Sequence, residues 1–190
     1  CGRKVDSLPL FDRPKAYAVE VAESDLSALG ALREDGELTP IGSQLFHLPM
    51  DPLLGRLLVE ARKTSALADM VDLVAAISVG RPLFRAGPPP EGEDNLKASG
   101  SDALAWIRAL REGDAMTHHL QPYVLGEARR ISGRLRKAFA LPRLAEAATG
   151  IDIDALGKVI LAADPRCVHV ARNRKKSIAW SNGGTEIEVG

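Results

Sequence analysis

Residues 30–52, GALREDGELTPIGSQLFHLPMDP, decide how this chain folds. An apolar helical pattern runs into Gly30. Glu34-Asp35-Gly36 then makes a tight turn, because Asp-Gly tolerates the positive φ that such turns need. Glu37-Leu38 is a very short extended piece. Thr39 caps a new helix, Pro40 opens it where its missing N–H is no loss, and Pro49 ends it. Asp51-Pro52 opens another helix. Two helix starts following a turn within about twenty residues describe a compact helical module with a small wing.

Upstream, Asp12 and Pro14 read as the cap and first turn of a helix with Val19, Ala22, Leu26 and Leu29 at helical spacing. Downstream, the helix from Pro52 to about Lys63 places Leu54, Leu57, Leu58 and Ala61 inward. Ser65 reads as the cap of a third helix, with Leu67, Met70, Val71, Val74 and Ile77 inward. Residues 80–100 break the pattern: Gly87 and Pro88-Pro89-Pro90, followed by acids, cannot continue a helix. This is a long loop whose acidic, proline-rich part is expected to be disordered. Helical patterns resume over Ala103–Arg111 and from Gln121 or Pro122 to Phe139. Pro142 is expected to open a short helix, and Asp152 to cap one through Ala163. After Ala163 the period changes. Val168 and Val170, Ile178 and Trp180, and Ile187 and Val189 alternate, so two or three antiparallel strands close the chain.

The totals agree with a mainly α protein. Aromatics make up only 4% of the 190 residues, so the core is built from Leu, Ala, Val and Ile. Two cysteines, Cys1 and Cys167, make neither a disulfide framework nor a metal site. No apolar run reaches membrane-spanning length, no secretory signal opens the chain and Met is not first, so a cytoplasmic location without a membrane partner and an excised fragment are expected. Net charge is zero, yet residues 121–190 carry 12 basic and 7 acidic side chains, whereas the first two thirds are acidic. A polyanion is to be sought in that last third.

Catalytic chemistry is sparse. No phosphate-binding loop, G-x-S-x-G or C-x-x-C motif occurs. His118-His119 are adjacent, so they do not share a ligand direction. Asp69 and Asp72 lie three apart on one helix, which reads as a wet face. Cys167 reads as a strand residue lacking an activating base other than His169. What remains is positive charge. On the helix ending at Phe139 the outer face is read as Arg129, Arg130, Arg134, Arg136 and Lys137. Within it Arg129, Arg130, Arg134 and Lys137 form a stripe able to follow a phosphate backbone. Arg172, Arg174, Lys175 and Lys176, at a hairpin turn, are a second candidate contact. Trp180 could stack on a base, though packing in the small sheet is the better reading.

Together these motifs resemble a known family. Asp12-x-Pro14 with Ala18 and Ala22, Leu26-x-x-Leu29-Gly30-Ala31-Leu32, Asp35-Gly36-x-Leu38-Thr39-Pro40-x-Gly42 and Leu48-Pro49-x-Asp51-Pro52 resemble the helicase-associated region of DEAH-box ATP-dependent RNA helicases. Arg33, where an acid is usual, and Met50 depart from the pattern. Ala162-Ala163-Asp164-Pro165-Arg166 and Ser181-Asn182-Gly183 are similar to the HrpB-like branch, with Asp164 where that branch has Tyr.

The resemblance implies a linker from a RecA-like domain at 1–11 and a winged-helix domain at 12–64. It implies a helical-bundle "ratchet" domain at 65–163 and the start of an OB-like β-domain at 164–190. It further implies a non-catalytic region that packs on the RecA-like domains of the same chain and guides single-stranded RNA, with DNA as an alternative strand. ATP and Mg²⁺ would serve the parent helicase, not this fragment. Two alternatives stand beside it. A winged-helix regulator would need a basic recognition helix, yet Pro40–His47 offers Ser43 and Gln44 without Arg or Lys. An interaction scaffold would dock a regulator protein.

Overall fold

A computed structural model describes residues 5–87, 101–116, 118–148, 150–173, 178–182 and 186–188. Seven α-helices appear in order among them: α1 (Ala16–Ala28), α2 (Pro40–Phe46), α3 (Pro52–Ala61), α4 (Leu67–Ser78), α5 (Asp102–Glu112), α6 (Pro122–Ala138) and α7 (Ile153–Ala163). Three strands follow: β1 (Val170–Asn173), β2 (Ile178–Ser181) and β3 (Glu186–Glu188). The mainly helical architecture with a terminal antiparallel sheet is the one its sequence pattern dictates. The chain forms two compact units, residues 1–59 with 160–190, and residues 60–159.

In the first unit the stretch around Gly30 folds as its composition requires. Gly30 takes a left-handed φ of 71°. Its N–H donates to Ser27 O at 2.9 Å and the Ala31 N–H to Leu26 O at 2.8 Å, the paired bonds of a glycine-terminated helix. Arg33 N donates to Glu37 O, and Leu32 pairs with Leu38 in a single antiparallel bridge. This is the wing, reduced to one step. Thr39 then works in two directions. Its hydroxyl oxygen accepts from Gly42 N at 3.0 Å and its O–H donates to Gly30 O at 2.6 Å. The end of α1 is thereby tied to the start of α2. Gly42 is needed for this approach, since a Cβ there would lie 2.1 Å from Ala31 O. Asp51 Oδ1 caps α3 through Leu53 N at 2.9 Å. Leu29, Ala31, Leu45, Leu57 and Leu58 are buried, and the buried Arg56 donates from Nε to Leu29 O at 3.1 Å.

Two helix starts differ from the sequence reading. α1 begins at Ala16, with Lys15 extended before it, so Asp12 and Pro14 lie outside the helix. The ring of Pro14 disfavours helical geometry at Arg13, which leaves Asp12 unable to act as a cap. Among its residues α1 buries none; Val19 and Leu26 are half-buried and Ala22 is exposed. α4 is preceded by Ala66, and the Ser65 hydroxyl donates to Asp152 Oδ2 at 2.7 Å instead of capping. Asp152 itself does cap α7, accepting from Ala155 N at 3.0 Å.

In the same unit as α1, Pro165–Cys167 is a turn of 3₁₀ helix, so Cys167 is not in a strand. Pro165 in its first turn and the Asp164 carboxylate accepting from Arg166 N at 3.0 Å set that turn. The sheet order is β1-β2-β3, antiparallel throughout, with Val170 opposite Ser181 and Ala179 opposite Glu188. Ala179 is buried and Trp180 half-buried.

The second unit packs α4 against both α5 and α6. Its core holds Ala75, Ala76, Leu83, Ala109, Leu110, Leu120, Val124, Leu125 and Ala128. The segment after α4 is fixed to the segment before α6: Phe84 bridges Leu120, Arg85 N donates to His119 O and Gln121 N to Leu83 O, both at 2.9 Å. The acidic, proline-rich part of the expected loop lies outside the described residues.

Candidate nucleic-acid interface

The seventeen-residue α6 has an inner and an outer side. Val124, Leu125, Ala128, Ser132 and Arg136 are buried; Arg130, Arg134 and Lys137 are exposed. At 3.6 residues per turn, positions 130, 134 and 137 fall within roughly 60° of one another, while 129 lies about 80° or more from the nearest of them. The geometry thus divides the expected stripe. Arg130, Arg134 and Lys137 share the outer face, and Arg130 pairs weakly with Glu127 at 3.4 Å.

Arg129 does something else. Its Nε donates to Leu110 O at 2.8 Å and its Nη2 to Gly113 O at 2.5 Å. It thereby satisfies carbonyls at the C-terminal end of α5, where a cation is favoured. Partial burial lowers its pKa from the ordinary guanidinium value, and nearby Asp114 opposes that shift.

Arg136, read from the sequence as an outer residue, is 2% exposed and points inward. It makes a two-pronged contact with Asp72, Nε to Oδ1 at 2.9 Å and Nη2 to Oδ2 at 2.5 Å. Ser132 Oγ donates to Asp72 Oδ1 at 2.8 Å. Arg111 bridges the two acids of α4, Nε to Asp72 Oδ2 at 2.8 Å and Nη2 to Asp69 Oδ1 at 2.6 Å. Asp69 also accepts from Asp152 N at 3.1 Å. Arg111 Nη1 donates to Ala148 O and Arg136 Nη1 to Pro142 O, both at 3.0 Å. Asp69 and Asp72 are therefore no wet face. Two acids and two arginines balance in charge, and every guanidinium nitrogen of Arg111 and Arg136 donates at least one bond within this network of α4, α5, α6 and the segment before α7. Such pairing is what a buried ion network requires.

Of the other candidate residues, Arg172 is exposed on β1, while Arg174, Lys175 and Lys176 lie outside the described residues. His118 Nδ1 accepts from Asp114 N at 2.9 Å, and His119 has a positive φ and a ring nitrogen 3.3 Å from Ala86 O. Their directions diverge, and among the described residues no cluster of three metal-ligating side chains forms. Burial raises the Cys167 thiol pKa and Asp164 adds to it, so the thiolate is disfavoured. A groove of about 650 Å³ beside α1 and the wing is lined by Glu20, Glu23, Glu34 and Asp35 with Arg33. Its charge repels phosphate. No described helix is long and apolar enough to cross a membrane.

A one-step wing between helices lies in one unit, and a bundle of packed helices makes the other. Residues 22–50 match the helicase-associated domain (HA2), winged-helix, and residues 51–118 match the helicase-associated domain (HA2), ratchet-like. The chain belongs to the helicase-associated domain family found in DEAH-box ATP-dependent RNA helicases.

It is 31% identical over 112 residues to the pre-mRNA-splicing factor ATP-dependent RNA helicase DEAH10 of Arabidopsis thaliana, covering 55% of this chain and 15% of that protein. It is 33% identical over 86 residues to the probable ATP-dependent RNA helicase DHR2 of Saccharomyces cerevisiae, covering 45% and 11%. Against the probable ATP-dependent RNA helicase DHX34 of Mus musculus it is 35% identical over 79 residues, covering 42% and 7%. The matched region is thus a small share of these relatives. α6 lies beyond the ratchet-like match.

Proposed function

We propose that this chain is a non-catalytic, RNA-guiding region of an ATP-dependent DEAH-box helicase of the HrpB-like branch, working in the cytoplasm. It packs on RecA-like domains of its parent, and those domains hold ATP and Mg²⁺. This chain has no sequence motif for cradling a triphosphate. Its three terminal strands are the opening of an OB-like domain. The observation that carries the RNA-guiding role is the exposed face of Arg130, Arg134 and Lys137 on a helix whose other side is locked into the core. Cations held so can follow a single strand without reading its sequence.

The test is binding of single-stranded RNA over a salt series. Replacing Arg130, Arg134 and Lys137 by Ala should weaken binding and flatten the plot of log affinity against log salt by about 2, three contacts at roughly 0.7 each. An unchanged slope shows that the face is merely solvated.

A second reading, a docking surface for a regulator protein, draws on α1, where Tyr17 and Val21 are exposed and no residue is buried. A pull-down with a Tyr17→Ala, Val21→Ser variant, run beside the RNA assay, separates the two. A wing-side regulator would be lost while RNA binding stays intact.

A further inference from the structure

The basic face of α6 continues toward the helix N-terminus into an aromatic side chain. Tyr123, the second residue of α6, is 70% exposed, whereas Val124 and Leu125 beside it are buried. Seven, eleven and fourteen residues separate it from Arg130, Arg134 and Lys137. At 100° per residue those positions fall about 20° to one side, 20° to the other and 40° to one side of Tyr123. All four lie in one line along the helix, spanning about 21 Å at 1.5 Å per residue. Glu127 also borders the line and is occupied by Arg130. At Gly126 and Gly133, which flank it, an added Cβ would meet nothing within 4 Å. Nothing described stands over the face at those points.

Arg81 completes the arrangement. Its guanidinium carbon lies 5.9 Å from the centre of the Tyr123 ring, within cation–π range. Arg81 follows Gly80 at the end of α4, and the segment it begins is anchored by the Leu83 and Arg85 backbone bonds to residues 119–121. Arginine and ring are thus set by two hydrogen-bonded segments of one unit. A cation against one side of an exposed ring, in line with three further cations, matches the chemistry of a nucleotide: a π-face to stack and phosphates to neutralise.

We propose that Tyr123 and Arg81 form a base-stacking step for single-stranded nucleic acid at the head of the Arg130, Arg134 and Lys137 track. This rests on the RNA-guiding reading above and adds a contact to the base that the cations do not supply. Stacking tolerates any base, so the site fixes a strand without selecting its sequence.

The test compares a single-stranded RNA oligonucleotide with an abasic ribose-phosphate strand of equal length, using the whole chain and fluorescence anisotropy. Tyr123→Ala should weaken binding of the base-containing strand by about tenfold while leaving its salt slope and the abasic strand's affinity unchanged. Tyr123→Phe should restore binding, since it keeps the ring. Equal affinity of Tyr123→Ala and the unaltered chain for RNA overturns the stacking step, as does an equal loss on the abasic strand. If the Arg130, Arg134, Lys137 variant still loses salt-dependent binding in that case, the RNA-guiding reading survives. If the unaltered chain binds neither strand, both fail. Unchanged circular dichroism of Tyr123→Ala, expected for an exposed residue, rules out unfolding as the cause of a loss.

Discussion

Replacing Asp72 by Asn removes the charge on which two buried arginines converge. Asp72 is wholly buried and accepts four hydrogen bonds, three of them from Arg111 and Arg136. Asparagine keeps the size but has one acceptor oxygen, and its amide group points donors at guanidinium donors. Arg111 keeps the Asp69 carboxylate, while Arg136 loses its charged partner and keeps Pro142 O with at most the one amide oxygen of the new side chain. Breaking one side of a buried pair costs about 3–5 kcal/mol. At about 4–8 °C per kcal/mol for a unit of the size of residues 60–159, the unfolding temperature of that unit should drop by about 12–40 °C.

The assay should follow residues 60–159 by themselves, because two compact units need not unfold together. Trp106 lies in that unit and Trp180 in the other. Fluorescence of a Trp180→Phe background therefore reports the right transition. The control is Arg130→Ala, which breaks an exposed pair with Glu127 in the same unit and should cost no more than about 1 kcal/mol. Asp72→Leu combined with Arg136→Met should recover part of the loss, because it leaves fewer stranded charges. A loss below about 1 kcal/mol for Asp72→Asn, or a double variant worse than the sum of the singles, would refute the reasoning.

Thr39→Ala removes both the cap on Gly42 N and the bond to Gly30 O, and should cost about 1–2 kcal/mol in urea unfolding. Gly42→Ala places a methyl group against the Ala31 carbonyl and should cost about 1–3 kcal/mol or more, with weakened hydrogen-exchange protection of the Thr39 amide, which bonds Ala31 O. The Asp164 carboxyl pKa is held below the ordinary 3.8 chiefly by its hydrogen bond from Arg166. A depressed folded pKa gives stability that is present above the unfolded value and lost as pH falls through the folded one. Arg166→Ala should therefore lower the unfolding temperature slightly near neutral pH, and the gap should close as pH falls below about 3.8; a pH series of melts measures it. That pair is half exposed, so added salt should shrink the gap as well.

Local signals were the legible ones. Gly30, Asp35-Gly36, Thr39-Pro40, Asp51-Pro52 and Asp152 act through bonds to residues a few positions away, and their chemistry is visible in sequence. The charge network was not, because Asp72 meets Arg111 and Arg136 across separations of 39 and 64 residues. A clue did exist. The sequence of α4, LADMVDLVAAIS, is apolar on nearly every side, so an acid within it has little chance of reaching water. Arg136 likewise follows Ala128 and Ser132 at four-residue steps along the buried side. Reading the arginines of α6 together as solvent-facing hid that periodicity. Arg129 was half legible: its charge was evident, but its acceptors at the end of α5 depend on how two helices pack. Arg130, Arg134 and Lys137 need only helical spacing, and there the sequence sufficed to place them on one face.

The inward fork of Arg136 also has a mechanical consequence. Arg134 and Lys137 face outward from the same turn of α6 that carries Arg136 inward. A pull on the outer cations is resisted within that turn by two parallel bonds into α4, with no flexible linker between load and anchor. Shear along α6 must break charge-assisted bonds together, in parallel, not peel them one after another. The charge-assisted anchor of α6 thus lies on the same turn as two of its outward cations.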